Sequence, residues 1–60
     1  MEAYLWTVEY DVQKGIRFTR KKHVVTDVPE PESAISIFRS GCEDDVDFVR
    51  SVEFEREIIR

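Results

Sequence analysis

An alternation of apolar and polar side chains between Tyr4 and Val24 constrains the fold of this chain more than any other feature. In the first half of this stretch one parity is apolar or aromatic: Tyr4, Trp6, Val8, Tyr10 and Val12. A period of two is typical of a strand that buries one face. After Gly15 the alternation resumes at Ile16 and Phe18. The pattern therefore predicts a β-hairpin with strands over Tyr4–Val12 and Ile16–Thr26.

The turn sets the register of the predicted hairpin. Glycine adopts a positive φ without a Cβ clash, so a three-residue loop, Gln13-Lys14-Gly15, suits the sequence. This loop brings apolar residues together on one face and leaves mostly polar pairs on the other: Val12 with Ile16, Tyr10 with Phe18, Tyr4 with Val24, Asp11 with Arg17, and Leu5 with His23. A two-residue loop would move every side chain of one strand to the wrong face.

A short helix is predicted over about Pro31–Ser40. Pro29 interrupts the strand pattern, and Pro31 suits the first position of a helix. Glu32 follows in the first turn, where the helix dipole favours a negative charge. Gly41 suits the position just past the helix end. The apolar face of this helix is formed by Ala34, Ile35, Ile37 and Phe38.

A third strand is predicted over Ser51–Ile59. From Val46 onward, one parity carries apolar residues: Val46, Phe48, Val52, Phe54 and Ile58. Within the predicted strand, the other parity carries Glu53, Glu55 and Glu57. Residues 45–50 fit helical and strand spacing equally well, so the pattern leaves their structure open. Glutamate is a poor strand former, and we expect the glutamate face of this strand to be exposed.

Together these elements predict one domain over residues 1–60, of the α+β class, with the order β-β-α-β. The first strand is the most apolar, which favours a three-stranded antiparallel sheet of order 2-1-3 with the helix packed on one face. The predicted core contains Trp6, Val8, Tyr10, Phe18, Ile35, Phe38, Val52 and Phe54. Placing the third strand beside the second would bring its glutamates near Arg17 and Lys21. Exposed ion pairs contribute only about 0–1 kcal/mol each, so burial favours the central first strand.

Composition narrows the class of protein. The chain has 60 residues and a net charge of −4, which disfavours a nucleic-acid role, since that role usually shows a basic domain. Cys42 is the only cysteine, and with no signal peptide this is typical of a reducing, cytoplasmic setting. No apolar run approaches a membrane span. A chain this short buries only about 60% of its unfolded surface, so self-association is one way to stabilise it.

A basic cluster lies in the second predicted strand: Arg17, Arg20, Lys21, Lys22 and His23. As a binding surface it would hold phosphates through Arg20, Lys21 and Lys22, with Trp6 or Tyr4 stacking a base. The structural alternative is a solvated edge strand, in which the inward parity of Arg20 and Lys22 protects the edge from pairing. A β-bulge that turns these side chains outward is a further alternative. The sequence favours the protected edge.

The acidic residues fall into two groups. The run Glu43, Asp44, Asp45 and Asp47 lacks the alternate carboxylates and central glycine of a calcium loop, so a solvated loop is expected, with mimicry of nucleic-acid phosphates as the alternative. The ladder Glu53, Glu55 and Glu57 suits either a basic partner surface or the wet side of a half-buried strand.

No catalytic, metal-binding or cofactor-binding residue is predicted. His23 is expected at the surface and Cys42 beneath the helix end, and the two are far apart in sequence. The chain has no zinc-ligand spacing, no glycine-rich phosphate loop and no Ser-His-Asp set on a suitable scaffold. We therefore expect a protein that is not an enzyme.

The order of elements resembles small strand–strand–helix–strand accessory proteins of phages and mobile elements. The likeness rests on the hairpin, on the helix start Pro31-Glu32-Ser33-Ala34 and on the Ser51–Ile59 strand. It implies a protein that binds and modulates a larger macromolecular machine.

The leading hypothesis is a protein-interaction module, an inhibitor or regulator that acts by occupying a protein partner. Pairing at a free strand edge is one route, and the outer sheet face is another. The candidate partner-binding residues are Leu5, Arg17, Lys21, Glu53, Glu55 and Glu57. Two alternatives stay open: a weak single-stranded nucleic-acid binder that uses Arg20, Lys21, Lys22 and Trp6, and a structural homodimer.

Overall fold

The computed structural model describes residues 2–42 and 45–59. Its elements are β1 over Glu2–Lys14, β2 over Ile16–Thr26, α1 over Pro31–Gly41 and β3 over Val46–Ile59. The three strands form one antiparallel sheet of order β2-β1-β3, and α1 packs on one face of it. The predicted β-β-α-β fold and its strand order are therefore confirmed. Residues 46–50, which the sequence left open, belong to β3.

The hairpin turn is centred on Gly15, one residue later than predicted. Gly15 has φ +80°, and Lys14 pairs with Ile16 on either side of it. Val12 consequently pairs with Phe18 and Tyr10 with Arg20, so the predicted pairings were wrong by two positions. The displacement is even, so each strand keeps the predicted set of side chains on each face. The register differs from the prediction because Gly15, in the left-handed conformation, occupies the centre of the turn instead of its last position.

The core lies between α1 and the central part of the sheet. Buried hydrophobic residues form it: Trp6, Val8, Tyr10, Val12, Val24, Ala34 and Phe38. The Phe38 ring lies 4.7 Å from that of Tyr10, measured between centroids. Burial of β1 on this face is nearly complete, because β1 is flanked by both other strands and covered by the helix.

The start of α1 has no side-chain cap at Glu30, whereas its end is capped by a lysine. Pro31 begins the helix, and the backbone N–H groups of Ser33 and Ala34 donate to the Glu30 carbonyl oxygen at 3.1 and 3.4 Å. At the other end Lys22 Nζ donates to the Gly41 carbonyl oxygen at 3.2 Å. A cation at a helix C-terminus both caps a carbonyl and complements the dipole. This contact joins the end of α1 to β2.

Four predicted core residues are less buried than expected. Phe18 and Phe54 are 39% and 53% exposed, and Ile35 and Val52 are half-buried. Ile37, which was predicted on the apolar helix face, is 46% exposed. The helix is too short to cover the whole face, so side chains of the central strand are buried most completely and the aromatic side chains of the two outer strands keep one side in water.

Strand β3 is irregular where it pairs with β1. Its register shifts between Leu5 and Trp6, between Glu9 and Tyr10, and between Asp11 and Val12. Each shift inserts one extra residue into β3, which is the definition of a β-bulge. A bulge reverses the alternation of faces beyond it. Val46 consequently pairs with Val12 beneath the helix, whereas Phe48 pairs with Asp11 on the other face and is 58% exposed.

Candidate protein-interaction surface

The face of the sheet turned away from α1, called the outer face below, carries the odd-numbered side chains of β1. Thr7 in the centre pairs with His23 on one side and with Glu53 on the other. Glu9 pairs with Lys21 and with Ser51 in the same way. A depression of about 250 Å³, called the outer groove below, is lined by Thr7, Glu9, Lys21, His23, Ser51, Glu53 and Glu55.

The outer groove is basic along β2 and acidic along β3. Glu9 lies between the two sides, and its carboxylate is 3.9 Å from Lys21 Nζ. The Thr7 hydroxyl donates to Glu55 Oε1 at 2.8 Å. The hydrogen bond fixes the Glu55 carboxylate, whereas Lys21 lies near Glu9 and stays exposed. A ligand in the groove would therefore meet charges of both signs.

A buried carboxylate anchors the outer face next to the groove. Asp11 is only 3% exposed and accepts hydrogen bonds from Arg50 Nε at 2.7 Å and from the Thr19 hydroxyl at 2.8 Å. These two hydrogen bonds, with the charges of Arg50 and Arg17, lower the pKa of Asp11 despite its burial. Arg17 was predicted opposite Asp11, but its Nη2 donates to Asp47 Oδ2 at 2.6 Å. The bulge between Val49 and Ser51 leaves Arg50 free to take the Asp11 position.

The opposite end of the outer face is largely apolar, apart from the exposed Arg56 of β3, which pairs with Leu5. Leu5 pairs with Val25, and Ala3 pairs with Ile58. Ala3 is 1% exposed, and the other three apolar side chains are half-buried. The outer face thus runs from a largely apolar end at Ala3 to a charged end at the buried carboxylate.

The structure places most of the predicted partner-binding residues on the outer face. Leu5, Arg17, Lys21, Glu53 and Glu55 lie there, as their pairings and contacts show. Glu57 lies on the helix side instead, opposite Tyr4, because the bulge at Glu55 reverses the faces. The glutamate ladder is therefore split between two faces.

Glu57 meets another carboxylate on the helix side. The charge of Glu2, together with a hydrogen bond between the two side chains, raises the pKa of Glu57. Burial is the first cause of the raised pKa of Tyr4, followed by the charges of Glu2 and Glu57. This end of the sheet therefore concentrates negative charge away from the outer groove.

The residues of the nucleic-acid alternative do not share one surface. Trp6 is 5% exposed, and its indole N–H donates to the Thr26 hydroxyl at 2.8 Å. Lys22 caps α1, and the Arg20 guanidinium lies 5.3 Å from the centre of the Phe18 ring. Lys21 alone of the four lines the outer groove. The structure therefore engages the predicted stacking residue and two of the three cations within the fold.

The remaining candidates have structural positions. His23 lines the outer groove, whereas Cys42 is half-buried against the core. Asp45 accepts the Gln13 N–H through its carbonyl oxygen at 3.2 Å. Glu43 and Asp44 lie outside the described residues. Among residues 2–42 and 45–59, no group of three His, Cys, Asp or Glu side chains is placed to hold a metal ion.

The parity of β1 predicted Thr7 and Asp11 on this face, but the sequence did not predict their neighbours on β3. Ser51 lines the groove, and Arg50 pairs with the buried Asp11 beside it. The position of Asp11 on the strand predicted to be central was the available signal. A charged side chain there, even on the outer face, needs neighbours on both sides to satisfy it.

Comparison with protein-family models, with curated proteins and with solved structures found no match for this chain. Within the described part of the chain, no helix is long and apolar enough to cross a membrane.

Proposed function

We propose that this chain is a non-enzymatic protein-interaction module that binds a protein partner through the outer face of its sheet. The observation that carries the proposal is the uncovered outer side of the central strand. The only helix of the described residues lies on the other side, and the outer groove presents charges of both signs. A regulator or inhibitor that acts by occupying its partner needs such a surface and no reactive group.

Internal contacts make this surface ready for binding. Thr7 holds Glu55, Lys21 lies near Glu9, and Arg50 holds Asp11. Side chains that are already ordered lose less conformational entropy when a partner docks on them. The outer groove therefore suits a partner that recognises a fixed pattern of charge.

The mixture of charges favours a protein over a nucleic acid. A phosphate backbone carries one sign of charge, and Glu9, Glu53 and Glu55 would repel it from Lys21. A protein surface offers both signs and can complement both sides of the groove. Binding of single-stranded nucleic acid at the β2 edge is the alternative, and it predicts steep loss of affinity with salt.

The outer face also suits docking better than the strand edges do. The free edge of β2 carries several basic side chains, and β3 is bent by three bulges. Both features discourage the addition of another strand. An approach to the face avoids these obstacles.

The proposal is tested by capturing partners from a lysate of the source cells at low and moderate salt, with nuclease treatment. We expect Glu53→Lys combined with Glu55→Lys to lose a protein that the wild type retains. The matched control is Asp27→Lys combined with Glu30→Lys, which changes charge equally in the exposed connection before α1 and is expected to retain it.

Equal retention by both double variants would overturn the outer face as the docking surface. Recovery of nucleic acid alone, lost at moderate salt, would favour the alternative at the β2 edge.

A further inference from the structure

We infer that the partner of the outer face is a second copy of this chain, packed face to face about a two-fold axis that runs close to β1. The inference rests on the proposed function of this face. It names the occupant and predicts which strands meet.

Basic side chains of β2 and carboxylates of β3 lie on opposite sides of β1 on the outer face. A two-fold axis along the central strand exchanges the two outer strands, so β2 of one copy covers β3 of the other. His23 and Glu53 both pair with Thr7 and so lie at one level along the axis. The symmetry therefore places His23 of each copy over Glu53 of the other. Among the described residues, neither of these two side chains takes part in an ion pair within the chain.

Polarity also changes along the sheet. An axis parallel to β1 keeps the strand direction, so the apolar end of one copy covers the apolar end of the other. Leu5, Val25 and Ile58 are half-buried at that end and would become covered. The exposed Arg56 pairs with Leu5, so it would lie over Val25 of the other copy, with its guanidinium at the rim of the interface. Packed sheets keep their strands within about 30° of one another, so the levels match best near Thr7.

The other two-fold axis in the plane of the interface runs across the strands. It would place β2 over β2 and β3 over β3, which brings the Glu53 carboxylates of the two copies together. With the crossing at Thr7 it would also set Leu5 against Glu9. The axis along β1 places Glu9 over Glu9 instead, but each of these carboxylates lies 3.9 Å from Lys21 Nζ of its own chain. Like-charge contacts suppress association, so the axis across the strands is disfavoured.

The outer face is close in size to a standard interface. The longer two extents of the molecule, 42 and 18 Å, bound a face of about 750 Å². A standard interface buries about 800 Å² on each partner. A dimer of standard size would therefore use nearly the whole outer face. A chain of 60 residues also gains from burying a second face, because its own core is small.

The test uses reciprocal charge changes at one contact that the symmetry repeats twice. Sedimentation velocity across a concentration series measures association of the wild type, of His23→Glu, and of Glu53→Lys. We expect a wild-type dimer and dissociation constants at least about tenfold weaker for each single variant. A Ser36→Glu control on the exposed side of α1 is expected to leave the dimer unchanged.

Restoration distinguishes the two axes. An equimolar mixture of His23→Glu and Glu53→Lys is expected to regain dimer, because one of its two contacts then joins the introduced glutamate to the introduced lysine and the other is the wild-type contact. Both changes in one chain are also expected to regain it, but only when β2 covers β3. With the axis across the strands, that double variant would place glutamate on glutamate and lysine on lysine and stay dissociated.

Each outcome bears on a named claim. A wild-type chain that is monomeric at every concentration overturns the second copy as partner. The proposed function still stands in that case if the outer-face variants lose a different captured protein. A dimer that persists in both single variants uses another surface and also overturns the inference. Should a variant fail to fold by circular dichroism, the wild-type concentration series alone decides whether a dimer exists.

Discussion

Replacing Phe38 by alanine tests how α1 is held on the sheet. Phe38 is 1% exposed and packs on Tyr10, with ring centroids 4.7 Å apart. Truncation of a buried phenylalanine to alanine costs about 3–5 kcal/mol, which includes the cavity it leaves. The core of a domain this small rarely supplies more than about 3–5 kcal/mol in total. We therefore expect Phe38→Ala to be largely unfolded at 25 °C.

The neighbouring Ile37 provides a matched control. It is 46% exposed, so roughly half of its side chain already contacts water. Complete burial of an isoleucine contributes about 1.5–3 kcal/mol, which predicts a loss of about 1 kcal/mol for Ile37→Ala. Phe38→Leu keeps most of the volume and is expected to lose about 1.5 kcal/mol, so it stays folded for measurement.

Urea unfolding followed by the fluorescence of Trp6, the only tryptophan, and by circular dichroism measures these losses. Both probes report the same transition if the helix and the sheet unfold together. Equal, small losses for Phe38→Ala and Ile37→Ala would refute the packing of α1 through Phe38.

Three further predictions concern the turn and the titrating groups. Gly15→Ala is expected to lower the free energy of unfolding in urea by about 1 kcal/mol, because Gly15 has φ +80°, which strains any residue with a Cβ. Gly41→Ala is the control and is expected to lose none, because its site has the same room for a Cβ but no positive φ. Asp11 has a lowered pKa, so its carboxylate stabilises the fold above pH 3.8, its ordinary pKa, and this stabilisation is lost as the pH falls through the pKa in the folded state. In thermal melts, Asp11→Asn is therefore expected to reduce the fall in melting temperature at acid pH. Glu57 has a raised pKa, so its protonated form stabilises the fold below pH 4.5, and this stabilisation is lost as the pH rises through the pKa in the folded state. Glu57→Gln removes the repulsion from Glu2 and is therefore expected to raise the melting temperature at pH 7 but not at acid pH.

Alternation and breaker residues were enough to predict the elements and their order. The apolar parity of β1 indicated the central strand, and Pro31 indicated the start of α1. The turn was displaced because Gly15 suits either the end or the centre of a tight loop. The residue pairs across the hairpin depend on which of these positions Gly15 occupies, but the set of side chains on each face of the sheet is the same for both.

The details of β3 were beyond sequence reasoning for a physical reason. A bulge adds one residue to one strand and leaves no composition signal, yet it reverses the faces beyond it. Three such shifts turned Phe48 outward, separated Glu57 from Glu53 and Glu55, and freed Arg50 to bind Asp11. The exposure of Phe18 likewise depends on how far a single helix reaches, which periodicity does not specify.

The charge pattern of the outer face was predicted more successfully than its geometry. Basic residues on β2 and acidic residues on β3 were visible in the sequence, and the strand order separates them by the width of β1. The groove between them is lined by Thr7, which the parity of β1 placed on this face, and by Ser51, whose position depends on the bulges of β3.

Binding of a protein on the outer face would change the environment of the backbone amides there. Amide chemical shifts of ¹⁵N-labelled protein, followed while the chain is concentrated or titrated with a protein that it captures, test for this binding directly. We expect the largest changes at Leu5, Thr7 and Glu53, with Ser36 and Ile37 on the exposed side of α1 unchanged. Changes confined to α1 or to the free edge of β2, with the outer face silent, would contradict binding there.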